Sequence, residues 1–212
     1  MPRIRQIAAL TGATALALTA VGSPAYAGTT EIRKVSDNSL YNGAAAATLI
    51  QSMVVEAKVL GVTTTTTCTT ASMSGTVASN GPLSISAASV SGCSGSASGI
   101  TFLGLPWSGG VTYAPQGPPG RDGYLTLNGF SVSATVAGVS CTYGGVAVAN
   151  GFNGSNAARP VTTNSQAQVN MAGITINKTA GSFLCPGSAA IKQGVFALTG
   201  GGQSLKVTGT YP

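Results

Sequence analysis

The groups that could serve in acid–base catalysis are few, because the chain holds four carboxylates and no histidine. Without histidine, neither a Ser-His-Asp nor a Cys-His nucleophile can be assembled. Two carboxylates facing each other across a cleft would still permit glycoside hydrolysis. The four carboxylates are Glu31, Asp37, Glu56 and Asp122.

The surroundings of these carboxylates favour structural roles. Asp37 lies in a polar run, and Asp122 lies in a Gly-Arg-Asp-Gly segment that is typical of a turn. Glu56 and Asp37 are the pair that could meet in a cleft. The same scarcity of carboxylates argues against a calcium or zinc site. We therefore expect a protein that is not an enzyme and holds no cofactor or metal, with a carboxylate-dependent secreted hydrolase as the alternative.

The second group with chemical potential is a set of four cysteines. An even number without Cys-x-x-Cys spacing is typical of disulfides in an exported protein rather than of metal ligands. Three pairings are formally open. We predict Cys68 with Cys93 and Cys141 with Cys185, because each pair flanks its own strand-rich segment. Loops of this length should each stabilise the fold by roughly 3–4 kcal/mol.

The single tryptophan, Trp107, follows Leu105 and Pro106 and precedes a glycine pair. An exposed tryptophan on a loop can bind a sugar or an apolar ligand, so Trp107 is the candidate ligand contact. Large aromatic side chains more often pack inside a β core, and we expect that arrangement here.

The first 27 residues have the pattern of a secretory signal peptide. Arg3 and Arg5 precede an apolar run over residues 7–21, and Ala25-Tyr26-Ala27 supplies a small-residue cleavage site. The sequence therefore predicts export by the general secretory route and a mature chain of residues 28–212. We expect a protein that is secreted or associated with the cell envelope, with no transmembrane anchor once the signal is removed.

Only 7% of residues are charged, and the formal net charge is +6. Two of the positive charges belong to the signal peptide, and the others are scattered along the chain. A nucleic-acid-binding protein would need its cations clustered on one face, so no nucleic-acid partner is expected. Small and β-branched residues replace the missing charged ones, a composition that suits strands joined by tight turns.

Apolar and polar residues alternate with a period of two at residues 83–88, 124–129 and 130–135, which predicts β-strands. Glycine-rich segments between such runs predict turns. These turn segments are residues 79–82, 108–110, 117–120, 143–145 and 200–202. Many short strands at this spacing predict a single all-β domain over residues 28–212, either an antiparallel sandwich or a barrel-like domain.

Residues 44–60 and residues 62–72 differ in composition from these alternating runs. Residues 44–60 begin with an alanine run that would suit a helix, but their β-branched valines favour strands. Residues 28–61 are accordingly the part of the domain that the sequence defines least. The threonine-rich stretch at residues 62–72 predicts a strand, with alternate threonines facing outward and Cys68 facing inward to meet Cys93.

Several short motifs follow one another in a distinctive order along the chain. They are Cys68-Thr69, Ser74-Gly75-Thr76-Val77, Cys93-Ser94-Gly95, Leu105-Pro106-Trp107, Leu127-Asn128-Gly129, Cys141, Cys185-Pro186 and Gly209-Thr210-Tyr211-Pro212. Their order, from about Thr63 to Pro212, resembles a family of small exported actinobacterial proteins. The resemblance implies a signal peptide, two disulfides and an all-β fold, and it carries over no activity and no functional residues.

These observations predict an exported noncatalytic β-domain that acts by binding or scaffolding, in the medium or at the cell envelope. Its expected partner is a small ligand or a component of the envelope. A small-ligand carrier falls within this class, by analogy of composition and compartment with secreted β-domains that hold small molecules.

Overall fold

The structure, a computed structural model, describes residues 28–115, 117 and 120–211, so the predicted signal peptide lies outside the described residues. The described residues form twelve β-strands and no helix, which confirms the all-β prediction. Within the alanine-rich residues 44–60, residues 44–59 belong to one strand, as expected, and residue 60 begins the following turn. The strands are β1 (Thr29–Lys34), β2 (Gly43–Val59), β3 (Val62–Val77), β4 (Pro82–Gly95), β5 (Ala97–Leu103), β6 (Trp107–Tyr113), β7 (Gly123–Val136), β8 (Val139–Phe152), β9 (Ala167–Asn170), β10 (Thr175–Gly181), β11 (Ser188–Gly200) and β12 (Gln203–Thr210).

Eight strands form a closed antiparallel barrel. The ring runs β2, β3, β4, β6, β7, β8, β10 and β11, and β11 pairs with β2 to close it. Ring neighbours also follow one another along the chain, so the barrel has up-and-down topology. Of the two architectures that the sequence left open, sandwich and barrel, the barrel is the one observed.

Two positions in the ring are each shared by two short strands. β5 and β6 pair with successive halves of β7, on either side of residues 104–106. β9 and β10 pair in the same way with β11, on either side of residues 171–174. β9 and β10 also both pair with β8, so they serve as one interrupted strand of the barrel. β5 pairs with β7 alone, so β6 alone links β7 to β4.

A two-stranded ribbon of β1 and β12 lies at the end of the barrel where β2 begins and β11 ends. The Ile32 amide donates a hydrogen bond to the carbonyl of Ser79 in the β3–β4 turn, at 2.8 Å. The Asn153 side chain, just after β8, donates to the Val207 carbonyl at 2.9 Å and accepts from the Val207 amide at 2.7 Å. Ile32, Leu205 and Val207 are buried, so the ribbon closes this end with apolar side chains.

We call the end under the ribbon the upper end. The opposite, lower end carries the β2–β3 and β7–β8 hairpin turns at residues 60–61 and 137–138. Both disulfides lie towards the lower end. Cys68 on β3 bonds Cys93 directly opposite on β4, and Cys141 on β8 bonds Cys185 in the β10–β11 connection.

Both predicted disulfide pairings are therefore confirmed. They close loops with sequence separations of 25 and 44 residues. In the chain-entropy model such loops stabilise the fold by about 3.5 and about 4 kcal/mol. The threonine-rich stretch is part of β3, with Thr63 and Thr65 exposed and Cys68 only 1% exposed, as its alternation predicts.

Two glycine-rich segments that the sequence predicts as turns lie instead inside strands. Residues 108–110 belong to β6, and residues 143–145 belong to β8. The physical reason is close contact between backbones rather than a change of chain direction. A Cβ atom on Gly144 would lie 2.6 Å from the carbonyl oxygen of Phe130 on β7, so only glycine fits there.

The tightest such contact gives a test of the strand packing. The register of β3 against β4 shifts at Gly75, and a Cβ atom there would lie 1.8 Å from the Ser84 carbonyl oxygen. We expect Gly75→Ala to lower the free energy of unfolding by about 2–3 kcal/mol, because the two backbones must separate. The measurement is urea-induced unfolding.

Gly110→Ala on β6 is the matched control, since its Cβ atom would come no closer than 3.8 Å to the Gly81 carbonyl oxygen. Its free energy of unfolding should change by less than about 0.5 kcal/mol or rise slightly. Equal losses in the two variants would contradict the β3–β4 register.

Candidate functional site

The interior of the barrel contains two cavities, one above the other. The upper cavity has a volume of about 100 Å³, and the lower cavity has a volume of about 90 Å³. The walls of both are almost entirely apolar. Residues lining the upper cavity include Ile32, Val77, Leu127, Phe152, Phe196 and Val207.

The lower cavity follows from the alternation of side chains along its strands. Every second residue of β2 and β7 points inward, which brings Met53, Val55, Val132 and Val136 to its wall. Four inward positions on four strands carry only a methyl group, and this leaves space that leucine or valine would fill. These four are Ala57, Ala97, Ala134 and Ala189.

An aromatic cluster supports one wall of the lower cavity. Phe102 and Phe130 line the cavity, and the Trp107 ring packs against them with centroid distances of 5.5 Å and 4.8 Å. The Trp107 side chain is 1% exposed, and its indole N–H donates to the Leu103 carbonyl at 2.8 Å. The structure therefore places Trp107 in the core, as expected, and not among the residues that line either cavity.

The distinctive polar group of the lower cavity is the hydroxyl of Tyr143 on β8. Tyr143 is 3% exposed and lines the cavity, and its hydroxyl has no hydrogen-bond partner among the described residues. Burial raises the pKa of the Tyr143 phenol above its ordinary value. The hydroxyl therefore stays neutral at physiological pH and can either donate or accept a hydrogen bond.

Other polar side chains at the lower cavity already have protein partners. The Thr66 hydroxyl accepts a hydrogen bond from the Ala97 amide at 2.9 Å, and the Thr64 hydroxyl donates to the Ala57 carbonyl at 3.1 Å. Within the described part of the chain, two more buried side-chain atoms lack a partner, Arg121 Nε and Thr208 Oγ1, but neither residue lines these cavities. Of the polar residues that line the lower cavity, Tyr143 is therefore the one whose side chain has no partner among the described residues.

The carboxylates have separate structural roles. On the ribbon, Glu31 forms an ion pair with Arg33 at 2.8 Å. Asp37 in the turn after β1 accepts hydrogen bonds from the Ser39 hydroxyl at 2.7 Å and the Ser39 amide at 3.0 Å. These bonds hold the pKa of the exposed Asp37 carboxyl below its usual value.

The other two carboxylates lie at opposite ends of the barrel. Glu56 lies near the lower end, where its carboxylate is 3.5 Å from the Lys192 ammonium. Asp122 lies at the upper end, where it accepts hydrogen bonds at 2.7 Å from the Asn153 amide and the Asn156 side chain. This arrangement fixes the loop before β7. It does not place Glu56 and Asp122 across a shared cleft.

Among the described residues, no three histidine, cysteine, aspartate or glutamate side chains are grouped so that they could hold a metal ion. The described part of the chain also contains no helix long and apolar enough to span a membrane. No family model, curated protein or solved structure matches the chain.

The sequence reasoning did not identify Tyr143 as a functional candidate, because the following glycines led to its assignment to a turn. The available signal was the alternation in β8, where Cys141, Tyr143, Ala147 and Ala149 are all buried. That pattern breaks at residues 145–146, where β8 faces the register shift in β7. Tyr143 lies before this irregularity in β8, and its side chain is buried.

The unpartnered hydroxyl predicts an unusual effect on stability. Leaving a buried hydroxyl without a partner costs about 1–3 kcal/mol. We expect Tyr143→Phe to raise the free energy of unfolding by about 1 kcal/mol, because it removes that cost and keeps the ring. Urea unfolding of the ligand-free protein measures the change.

Tyr41→Phe is the matched control. Tyr41 is also buried, but its hydroxyl donates to the Ala44 carbonyl at the upper end. Losing this bond should lower the free energy of unfolding by about 1 kcal/mol. If both variants were destabilised alike, the Tyr143 hydroxyl would have to be satisfied in the folded protein.

Proposed function

We propose that this protein is a noncatalytic binding protein that encloses a small apolar molecule inside its β-barrel. The observation that carries the proposal is the pair of apolar cavities in a closed barrel. An eight-stranded barrel is just wide enough for its side chains to fill or for one small ligand. Here alanines occupy inward positions around the lower cavity, which favours the second use.

The cavity volumes limit the size of the ligand. An engineered apolar cavity of about 150 Å³ in another protein binds benzene, and sites for drug-sized molecules measure about 300–1,000 Å³. Volumes of about 90 Å³ and about 100 Å³ are smaller than both, so they limit the ligand to at most a single ring or a short aliphatic chain. A larger ligand would require side chains between the cavities, or the ribbon, to move.

The setting that we propose is outside the cytoplasm, with residues 1–27 as the export signal. Two disulfides are compatible with an oxidising compartment. The resemblance to small exported actinobacterial proteins supports the same location, in the medium or at the cell envelope. The proposed partner is accordingly a small molecule met in the medium or released from the envelope.

Native mass spectrometry of the protein recovered from culture supernatant tests this proposal. The expected species is residues 28–212 less four hydrogens for the disulfides, together with a bound small molecule. Ala134→Ile should remove the bound molecule if it occupies the lower cavity, because the larger side chain fills the space beside Val132 and Val136.

Ala87→Ile on β4 is the control, since Ala87 is exposed on the outer face of the barrel and the larger side chain is tolerated there. It should carry the same ligand as the wild type. Recovery of the wild type without any added mass, together with no binding of small apolar probes, would contradict the proposal.

A carboxylate-dependent secreted hydrolase is the alternative. Glu56 lies near the lower end, whereas Asp122 and Asp37, in the turn after β1, both lie at the upper end, and this separation argues against a shared catalytic cleft. The double variant Glu56→Gln, Asp122→Asn should leave any hydrolytic activity of the purified protein unchanged. Its folding is followed in parallel by circular dichroism, because Asp122 accepts the two loop hydrogen bonds. A folded double variant that has lost a measurable hydrolytic activity would favour the hydrolase.

A further inference from the structure

We propose that the lower cavity selects a compact, neutral, apolar molecule with one hydrogen-bonding oxygen, which the hydroxyl of Tyr143 binds. This inference rests on the proposed function, since it assigns the ligand chemistry of one of the two cavities. It distinguishes the lower cavity from the upper one, where the lining polar side chains Asn153 and Gln168 are already bonded to the backbone.

The first argument is the position of the Tyr143 hydroxyl. It belongs to a side chain that is 3% exposed and lines the cavity, and it has no partner among the described residues. Buried hydroxyl groups in folded proteins are nearly always hydrogen-bonded. Since Tyr143 is a lining residue of this cavity, we place the missing partner of its hydroxyl inside the cavity. The hydroxyls of Thr64 and Thr66 at the same wall are already bonded to the backbone.

The second argument is the electrostatic character of the walls. No charged side chain lines the lower cavity. A ligand with a formal charge would lose its hydration without gaining a counter-ion, which costs several kcal/mol. A neutral hydroxyl or carbonyl oxygen can instead form one hydrogen bond with Tyr143, while the rest of the ligand contacts apolar side chains such as Met53, Ile100 and Ile191.

The third argument is selectivity. A site with one buried hydrogen-bonding group discriminates against an analogue that lacks the matching group, because the site's own polar atom then stays unpaired. The space that the four alanines leave, about 90 Å³, limits the ligand to about the size of one ring. A phenol, or a small alcohol or ketone of similar size, fits these requirements together.

The experiment uses two probes of nearly equal shape, phenol and toluene, which differ by a hydroxyl in place of a methyl group. Their dissociation constants are measured by titration calorimetry with the full mature protein and with Tyr143→Phe. Phenol is better hydrated than toluene, so the quantity to compare is the ratio of the two constants. The preference for phenol over toluene should be about five- to ten-fold weaker in Tyr143→Phe than in the wild type, as expected for the loss of one neutral hydrogen bond.

Tyr41→Phe provides the control, because its hydroxyl lies near the upper end and bonds the Ala44 carbonyl. It should keep the wild-type ratio of phenol to toluene affinity. Methyl NMR shifts of Ala134 and Ala189 identify the lower cavity as the site of binding, since both residues line it.

The possible results separate the two proposals. If phenol and toluene bind but their affinity ratio is the same in wild type and Tyr143→Phe, the role of Tyr143 is wrong and the interior site remains. If the methyl shifts place phenol only in the upper cavity, the role of Tyr143 is again wrong. If neither probe binds any of the proteins, the interior binding site itself is refuted.

Discussion

Pairing between β2 and β11 is the interaction on which the rest of the structure depends, because it closes the ring. These strands come from near the two ends of the described residues, so their pairing is non-local and carries a large loop-closure cost. Closure gives each ring strand a partner on both sides, which removes most exposed edges, whereas β5 pairs on one side only, with β7. It also directs one face of every strand into a common interior, so the inward residues decide whether that interior is filled.

The inward residues leave space towards the lower end, and this costs stability. Protein interiors are normally packed to the density of organic crystals, and an unfilled cavity forfeits dispersion contacts. The disulfides Cys68–Cys93 and Cys141–Cys185 lie in this same half of the barrel. By restricting the unfolded chain they offset part of that loss, so the walls can surround a cavity without collapse of the fold.

The sequence predicted the strands and the disulfide pairs well because both depend on local patterns. Even the bulge in β7 is visible as a change of phase, since inward residues run to Leu127 and resume at Phe130. Glycine is harder to interpret. It serves turns at residues 200–202 but close strand contacts at residues 143–145, and only the paired strand distinguishes the two. Because residues 143–145 were predicted to form a turn, Tyr143 was not recognised as an inward-facing residue. The cavities could not be predicted either, because they depend on closure of the ring, which no local sequence pattern encodes.

Tyrosine at position 143 lowers the stability of the fold, because it buries a hydroxyl that has no partner among the described residues. Phenylalanine would present the same ring to the same neighbours without a buried hydroxyl that lacks a partner. Natural sequences usually satisfy such rules, and their exceptions concentrate at functional sites. Trp107 shows the ordinary solution, because its buried N–H bonds the Leu103 carbonyl. Arg121 Nε and Thr208 Oγ1 also lack a partner among the described residues, but neither residue lines either of the two cavities. Under our proposal, a ligand in the lower cavity pairs with the Tyr143 hydroxyl.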